Sequence, residues 1–335
     1  MNRILLFVFC LFTLPAVAQI GGEKAFEFLN VPGYARLAAL GGVNVSLTDR
    51  DINFFQANPS AVGDTLAGMA SASYQFYVAD IGQATFSYAH PFKKIGVLMF
   101  GIQHMRYGNI KSYDAAGAEL GDFASGETVL MVGKSHRISN FRMGANVKFA
   151  FSNIAGYRAS AVMLDVGGVF IHPDRDFRVG LVIKNFGVVL SEYSESSKSL
   201  LPFDVQLGAT FKPEHMPFRF SLTAYNLTQR ELPYYNPDDG TDEPSTLNKV
   251  MSRINFGVEL LLHRNVNVLA GYNYLRHQEL KLSNGGGGAG VTFGFSARIK
   301  TVEFVFSRSG YVAGQAGYAF TLSTNVNKLL TRRSI

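Results

Sequence analysis

Apolar and polar side chains alternate along most of the chain from about Leu66 onward. The clearest stretches lie between residues 141 and 152, 203 and 212, 218 and 225, 253 and 262, and 291 and 300. In the first of these, Val147 and Phe149 alternate with Asn146 and Lys148. A period of two is typical of β-strands whose two faces meet different surroundings. The pattern therefore predicts an all-β fold.

The alternating segments number about fourteen, and most have the length of roughly ten residues that a tilted transmembrane strand needs. The predicted strands span residues 66–77, 81–90, 94–107, 127–137, 141–153, 157–171, 176–186, 202–212, 217–227, 250–263, 265–276, 289–299, 302–307 and 315–324. An even number of antiparallel strands places both ends of a barrel on the same side of the membrane. We therefore predict a transmembrane antiparallel β-barrel of about fourteen strands.

The connections between these segments differ in length in a regular way. They are short after every even-numbered strand and long after several odd-numbered ones, at residues 108–126, 187–201, 228–249 and 277–288. Short periplasmic turns opposite long outward loops are typical of outer-membrane barrels, whereas a soluble β-sandwich has no reason to segregate them. The pattern predicts the outer membrane of a Gram-negative bacterium, with long loops extracellular and both termini periplasmic.

The first residues predict export. Arg3 gives a basic start, residues 4–14 form an apolar run, and Ala16-Val17-Ala18 is a small-x-small cleavage site. We therefore predict a signal peptide at residues 1–18. The only cysteine, Cys10, lies inside it, so the mature chain is predicted to have no disulfide and no thiol chemistry.

Composition limits the chain to two classes, a large soluble β-protein or a membrane barrel. The chain has 28 Phe, 15 Tyr and 34 Gly in 335 residues, and only 17% of its residues are charged. Beyond the predicted signal, no apolar run approaches the ~20 residues of a spanning helix. The net charge of +6 comes from lysines and arginines scattered singly along the chain, which predicts no nucleic-acid surface.

The segment before the first strand does not alternate. A short helix is predicted between Asn30 and Gly42, and a second one, capped by Thr48 or Asp49, runs through Phe55 and stops at Asn58-Pro59. We predict that residues 19–65 form a small helical plug, because a barrel of about fourteen strands leaves a lumen to fill. A periplasmic cap that only blocks leakage is the alternative. Residues 66–325 then form the barrel and 326–335 a periplasmic tail.

No group of residues predicts catalysis or a metal site. The seven histidines are dispersed, and no pair has metal-ligand spacing on one strand face. His136 beside Ser135 does not make a nucleophile pair, because adjacent strand residues point to opposite faces. We therefore predict that the protein is not an enzyme and has no cofactor.

One acidic cluster stands out in the predicted loop 228–249. Its acidic residues are Asp238, Asp239, Asp242 and Glu243, and Tyr234 and Tyr235 precede them. The spacing is not that of a calcium loop, and a solvated loop tip is the simpler interpretation. Aromatic area next to charge also suits a surface that docks a partner.

The plug segment contains a recognisable motif. Its parts are Phe28-Leu29-Asn30-Val31-Pro32, Ala35-Arg36, Ala39-Leu40-Gly41-Gly42, Val43-Asn44-Val45, Phe54-Phe55 and Asn58-Pro59-Ser60-Ala61. This resembles the PorV/PorQ family of type IX secretion system outer-membrane proteins, which is itself similar to FadL-type fatty-acid transport barrels. Asn58-Pro59-Ser60 stands where the family has Asn-Pro-Ala. The short chain and modest loops look more like PorQ than PorV.

The resemblance implies a FadL-like barrel without enzymatic activity in the attachment complex of that secretion system. Its implied partners are a PorZ-like surface protein anchored by the barrel, a PorU-like sortase, a PorV-like shuttle, and outer-membrane lipid with the anionic lipopolysaccharide to which cargo is joined. The motif residues Asn30, Pro32, Ala35, Arg36, Leu40, Gly41, Gly42, Asn58 and Pro59 would belong to the plug. The alternative function is a FadL-like channel for a hydrophobic small molecule, gated by residues 21–64.

Overall fold

The computed structural model describes residues 24–48, 51–114, 116–194, 198–229, 232–235, 243–281, 288–311 and 315–331. Its strands are β1 (Met69–Phe76), β2 (Gly82–Phe92), β3 (Gly96–Tyr113), β4 (Glu119–Ile138), β5 (Phe141–Ile154), β6 (Tyr157–Ile171), β7 (Phe177–Ser191), β8 (Asp204–Phe211), β9 (Phe218–Ala224), β10 (Ile254–His263), β11 (Val266–Asn273), β12 (Val291–Ile299), β13 (Val302–Gly310) and β14 (Ala316–Asn325). The four α-helices are α1 (Ala35–Ala39), α2 (Thr246–Met251), α3 (Tyr274–Leu280) and α4 (Val326–Thr331).

The fourteen strands form one closed antiparallel barrel in sequence order. Closure comes from β1, which pairs with β2 on one side and with β14 on the other, from Met69 opposite Asn325 to Phe76 opposite Tyr318. Closing the sheet gives backbone N–H and C=O groups partners within the wall, which hydrocarbon cannot supply. The predicted fold class is confirmed.

The two faces of the wall follow the alternation in the sequence. On β5, Phe149 and Phe151 are 45% and 50% exposed, whereas Asn146 and Lys148 are 0% and 2% exposed. The exposed apolar side chains point away from the barrel, towards hydrocarbon, and the polar ones point into the lumen. Their burial there requires something that fills the lumen.

The connections divide the barrel into two ends. At the short-turn end, strands are joined through residues 93–95, 139–140, 172–176, 212–217, 264–265 and 300–301. At the long-connection end, the longest connections are residues 192–203, 225–253 and 274–290. The predicted loop 108–126 was wrong, because β3 and β4 continue to pair through it as a hairpin with its tip at residues 114–118. The β5–β6 turn at the same end is short.

Other differences lie near strand ends, where loop helices replace predicted strand. The tenth strand was expected from Val250, but α2 occupies that position, and α3 replaces the predicted end of the eleventh strand. The seventh and thirteenth strands continue to Ser191 and Gly310, further than predicted. Apolar residues of a short amphipathic helix and of a strand end look alike when only a few positions are available.

The described residues before β1, 24–48 and 51–68, lie inside the barrel. They contain α1 and four 3₁₀ turns at Glu27–Asn30, Ile52–Gln56, Pro59–Ala61 and Asp64–Leu66. The helix predicted from Asn30 is therefore shorter, and the second predicted helix is a 3₁₀ turn. Its cap is Asp51 and not Thr48: the Asp51 side chain accepts a hydrogen bond from the Asn53 backbone N–H, and Asp49 lies outside the described residues.

The plug crosses the lumen from one end to the other. The Ala25 backbone N–H donates to the Leu200 carbonyl at 3.0 Å, in a connection at the long-connection end. Leu66 leads into β1 at the short-turn end. Residues 1–23 and 332–335 lie outside the described part, so the signal peptide and the side on which each terminus lies stay predictions.

Candidate functional site

Helix α1 packs against the inner face of β11–β14 at very short distance. The Ala35 backbone N–H donates to the Thr321 hydroxyl at 2.9 Å. A Cβ added at Gly294 of the wall would lie 2.9 Å from the Ala39 Cβ. The alanines of the helix and the bare glycine of the wall thus permit an approach that larger side chains would prevent.

The end of α1 is bound to the wall through its backbone. Gly41 and Gly42 have φ angles of +90° and +97°, a region that favours glycine. The Leu40 carbonyl accepts a hydrogen bond of 2.8 Å from the Asn255 amide. Thr292 donates to the Ala39 carbonyl at 2.7 Å. The Gly-Gly turn of the motif therefore presents main-chain atoms to polar residues of β10 and β12.

A buried ion triad holds Arg36. Its Nη2 and Nε lie 2.7 and 3.0 Å from Oε1 of Glu259 on β10, and Arg219 on β9 binds Oε2 of the same carboxylate at 2.9 Å. Arg36 and Glu259 are buried, and the Arg36 guanidinium lies 5.9 Å from the Phe54 ring centroid. The buried Arg36–Glu259 pair, with Arg219 partly exposed beside it, fixes the plug to the wall, because losing one partner leaves a buried charge uncompensated.

Asn58 and Pro59 fasten the middle of the plug. The Asn58 Oδ1 caps the turn Pro59–Ala61 by accepting from the Ser60 N–H at 3.0 Å, and its Nδ2 donates to the Val45 carbonyl at 2.8 Å. A Cβ at Gly144 of β5 would lie 2.6 Å from the Pro59 carbonyl oxygen. The Asn-Pro pair thus ties two parts of the plug together against a glycine of the wall.

The remaining motif residues have lesser contacts. Asn30 donates to Glu27 at 2.7 Å within its own turn. Pro32 is buried, 3.7 Å from the position that a Cβ at Gly42 would occupy. Neither residue forms an ion pair or a side-chain bond to the wall among the contacts of the described residues.

Asp51 is a buried carboxylate of the plug. Burial raises its pKa to about 6; the Arg36 guanidinium opposes this, while the Glu303 carboxylate adds to it. Its Oδ1 accepts from the Asn53 backbone and side chain at 2.9 and 2.8 Å. The pKa means that this carboxylate takes up a proton at mildly acidic pH.

A second buried charge pair lies in the wall. Lys148 on β5 binds Asp165 on β6 at 2.6 Å and donates to the side-chain Oδ1 of Asn185 at 2.9 Å. Asn185 has a φ of +57° and lies where β7 shifts register against β6. β7 pairs with β8 only as far as Lys184 opposite Asp204. The part of β7 beyond Lys184 therefore pairs with β6 but not with β8.

The predicted docking residues lie partly within the described part. Tyr234 and Tyr235 lie at the long-connection end, and Tyr234 shares a hydrogen bond of 3.0 Å with Ser252. Glu243 forms an exposed ion pair with Lys249, which lowers the pKa of Glu243. Asp238, Asp239 and Asp242 lie outside the described residues.

Helix α2 follows this acidic loop and exposes an apolar stripe. Leu247 and Val250 are 70% and 51% exposed. They are three residues apart and so lie on one face of the helix. The helix is held by the Tyr274 hydroxyl, which donates to Asn248 at 2.9 Å, and by its Ser245 cap. A fixed backbone thus presents two apolar side chains that the described residues leave uncovered.

The partners of the motif in the wall were not identified from sequence. In the sequence, Glu259, Asn255 and Thr292 are only polar positions of alternating strands. A lone carboxylate at a lumen-facing position is the signal that was available, since a buried acid needs a cation. Which arginine it meets depends on a contact across more than two hundred residues, which periodicity does not reveal.

No group of three or more metal-binding side chains occurs among the described residues. None of the helices in the described ranges has both the length and the apolar character needed to cross a membrane.

No family model matches the sequence. A UPF0164 protein of Treponema pallidum (strain Nichols) is 26% identical over 235 residues, which is 64% of this chain and 54% of that protein. The match therefore spans about half the length of that relative.

The structure is similar to solved outer-membrane barrels. Against the TodX monoaromatic hydrocarbon channel deltaS2 mutant the TM-score is 0.53 at 12% identity, covering 88% of this chain and 99% of the other. The TodX deltaS2S3 mutant gives a TM-score of 0.52 at 12% identity, covering 87% of this chain and 98% of the other. A Pseudomonas aeruginosa FadL homologue gives a TM-score of 0.47 at 12% identity, covering 88% of this chain and 98% of the other. At this identity the likeness to the two TodX structures shows the fold alone, a closed antiparallel β-barrel.

Proposed function

We propose that this protein is a plugged, non-enzymatic outer-membrane barrel whose long-connection end faces outward and holds a surface protein. The resemblance of its plug motif to the PorV/PorQ family makes the attachment complex of the type IX secretion system the proposed setting. There a PorZ-like protein would be the anchored partner, with a PorU-like sortase and a PorV-like shuttle as further subunits.

The observation that carries this proposal is the apolar stripe of α2. Exposed apolar side chains on an ordered loop helix, next to tyrosines and acidic residues, have the character of a docking surface with an apolar centre and a polar rim. Tyr234 and Tyr274 fix the loop and the helix on which these side chains lie. Little conformational entropy is then lost when a partner binds.

The filled lumen supports docking over free permeation. The Arg36–Glu259–Arg219 triad and the backbone bonds of α1 join the plug to the wall at mid-barrel. A solute crossing the lumen would have to displace these buried charges, at a cost of several kcal/mol.

The test uses a double variant, Leu247→Ser with Val250→Ser, in the tagged barrel. Partner proteins are captured from the native membrane in mild detergent and quantified by mass spectrometry. We expect the variant to retain at most about a tenth of the partner, the loss typical of a hot spot in an interface. Ile299→Ser is the matched control: Ile299 is 73% exposed at the short-turn end, and its change should leave capture intact.

A wild-type barrel that is recovered without any partner would contradict the proposal. So would a double variant that captures as much partner as the wild type, or an equal loss in the control.

The second candidate is a channel for a hydrophobic molecule, as TodX is named for monoaromatic hydrocarbons. One observation favours it: β7 extends beyond its last pair with β8, at Lys184 and Asp204, and exposes Phe186, Val188 and Leu190 around that edge. A gap in the wall at that edge would give apolar molecules a path sideways from the lumen into the membrane. This function predicts that a deletion strain loses uptake of such molecules but keeps its surface proteins, the reverse of the docking proposal.

A further inference from the structure

A groove of about 390 Å³ lies on the wall at the long-connection end. It is lined by the β1–β2 turn, the strand ends beside it and the part of β3 that passes next to them, with Tyr74, Phe76, Asp80, Gly82, Arg106 and Asn109 among the lining residues. Its volume is within the range of about 300–1,000 Å³ typical of small-molecule sites. It is separate from the plug contacts and from the α2 stripe.

The local backbone makes this groove concave. Ala79 and Asp80 both have a φ of +57°, and Gly108 has a φ of +73°. The pairing of β3 with β4 shifts register between Arg106 and Asn109. A bulge and a tight turn therefore face each other, and both bend the chain away from the regular wall.

Glycine makes room for an aromatic floor. A Cβ at Gly82 would overlap the Tyr74 hydroxyl, so the hydroxyl end of this ring lies over a bare backbone position. Tyr74 and Phe76 pack edge to face with centroids 4.6 Å apart, and they are 39% and 51% exposed. Two rings on the outer face thus form one side of the groove.

The order of the outward-facing residues along β3 indicates the depth at which the groove lies in the membrane. Ile102, His104 and Arg106 are successive exposed positions on the outer face, so the face changes from apolar to basic there. Phe76 lies opposite Tyr318 in the next strand. Aromatic residues at the edge of the apolar band form the interfacial girdle of such barrels, at the level of lipid head groups.

Arg106 supplies the charge of the groove. It is exposed, and none of the described residues forms an ion pair with it. Asp80 lies in the same groove and would oppose an anion, while the Asn109 side chain can donate or accept hydrogen bonds. A cation, a carboxylate, an amide and two rings suit a ligand that carries both phosphate and sugar hydroxyls.

We propose that this groove binds the phosphorylated sugar head group of an outer-leaflet glycolipid. Arg106 binds the phosphate, which matches the planar fork of a guanidinium. The Tyr74 and Phe76 rings pack against the C–H face of the sugar, and Asp80 accepts a hydrogen bond from a sugar hydroxyl. The acyl chains lie along the outward apolar face of β1–β3. The proposal rests on the outward orientation proposed for the long-connection end.

The test titrates a bisphosphorylated glucosamine-disaccharide lipid into the full barrel, purified in detergent and freed of bound lipid. Affinity is measured by native mass spectrometry. We expect Arg106→Gln to weaken binding at least tenfold and Tyr74→Leu to weaken it several-fold. Asp80→Asn should bind as tightly or more tightly, because it removes repulsion of the phosphate. Lys134→Gln, which removes an outward cation near the short-turn end, should have no effect.

The ligand arms identify the chemistry. Wild type should bind the dephosphorylated lipid as weakly as Arg106→Gln binds the phosphorylated lipid. Removing the phosphates should then cause no further loss of affinity in Arg106→Gln, because both changes remove the same contact. Equal binding of phosphatidylglycerol would overturn the sugar assignment. Equal weakening by Lys134→Gln, or unchanged binding by both Arg106→Gln and Tyr74→Leu, would overturn the site. None of these outcomes depends on partner capture, so failure of the docking proposal would be seen separately.

Discussion

At the scale of single residues, Glu259 balances two arginines in the lumen. Its carboxylate is shared between Arg36 of the plug and Arg219 of the wall, at 2.7 and 2.9 Å. The ion pair of the plug motif therefore involves a wall residue that lies 223 positions away in the sequence. A charge pair without access to water tolerates the loss of neither partner.

Glu259→Gln should lower the free energy of unfolding by roughly 3–5 kcal/mol, because the buried Arg36 guanidinium and the partly buried Arg219 guanidinium lose the carboxylate that they share. Urea unfolding in phospholipid micelles, followed by circular dichroism, measures this. Glu119→Gln is the control, because its partner Lys111 and Glu119 itself are about half exposed, with side chains 58% and 49% accessible. That change should cost less than about 1 kcal/mol. Equal costs for the two variants would contradict the role of the triad.

Asp51 predicts a dependence of stability on pH. Because burial raises its pKa to about 6, the folded state binds a proton more tightly than the unfolded state does. The free energy of unfolding should therefore fall as pH rises from about 4 through about 6, by roughly 2–3 kcal/mol, and stay level above that window. Asp51→Asn should remove the part of this fall that Asp51 contributes, while keeping the cap.

The measurement compares unfolding of wild type and Asp51→Asn at pH 4 and pH 7.5. The exposed Asp122 provides the control, since Asp122→Asn should leave the wild-type fall in place. A wild-type profile that rises over the same window, or a variant with the same profile, would refute the assignment.

Part of this residue-scale picture could be predicted from the sequence. The motif contains Arg36, Gly41 and Asn58, but the sequence did not indicate that Asp51 is a cap or that Glu259 is a counter-ion. A cap depends on where the chain turns, within one or two residues, and several polar residues near Asp51 could serve. A counter-ion depends on strand register around the whole barrel.

At the scale of elements, the alternation predicted the number of strands and most of their centres. It did not predict how far β3 and β4 extend, because residues 107–125 form a hairpin that leaves the band of regular alternation. Above Arg106, β3 has no partner in β2, whose first residue Gly82 lies opposite Arg106. Only β4 pairs with this part of the strand, so the two faces of the hairpin meet similar surroundings and the period of two weakens.

The projecting hairpin should be dispensable for closure of the barrel. Replacing residues 110–123 with Asn-Gly would join Asn109 to its pairing partner Ala124 through a two-residue turn. We expect the shortened barrel to keep its heat-modifiable migration on gels and a melting temperature within a few degrees of wild type. Removing residues 98–103 of β3 instead, where both neighbours pair, should prevent folding. A shortened hairpin that abolishes folding would show that the hairpin supports the wall.

At the scale of the whole molecule, closure and filling depend on each other. The lumen-facing side chains of β5, β9 and β10 are polar because the plug gives them partners, and the plug stays inside because those partners are buried. Sequence predicted a plug from barrel size and the loss of alternation before Leu66. The path of the plug could not be predicted, because it follows from contacts with glycines at separate positions of the wall, such as Gly144 and Gly294.

The most direct test of the plugged barrel is a spin-label scan of β5 in lipid vesicles. The chain has one cysteine, Cys10, within the predicted signal peptide, so single cysteines can be introduced without background. Labels at Ala145, Val147, Phe149 and Phe151 should relax strongly with dissolved oxygen, as lipid-facing positions do. Labels at Asn146, Ala150 and Ser152 should be shielded both from oxygen and from a water-soluble nickel complex. Equal exposure of the two sets, or free access of nickel to the second, would contradict a closed wall around a filled lumen.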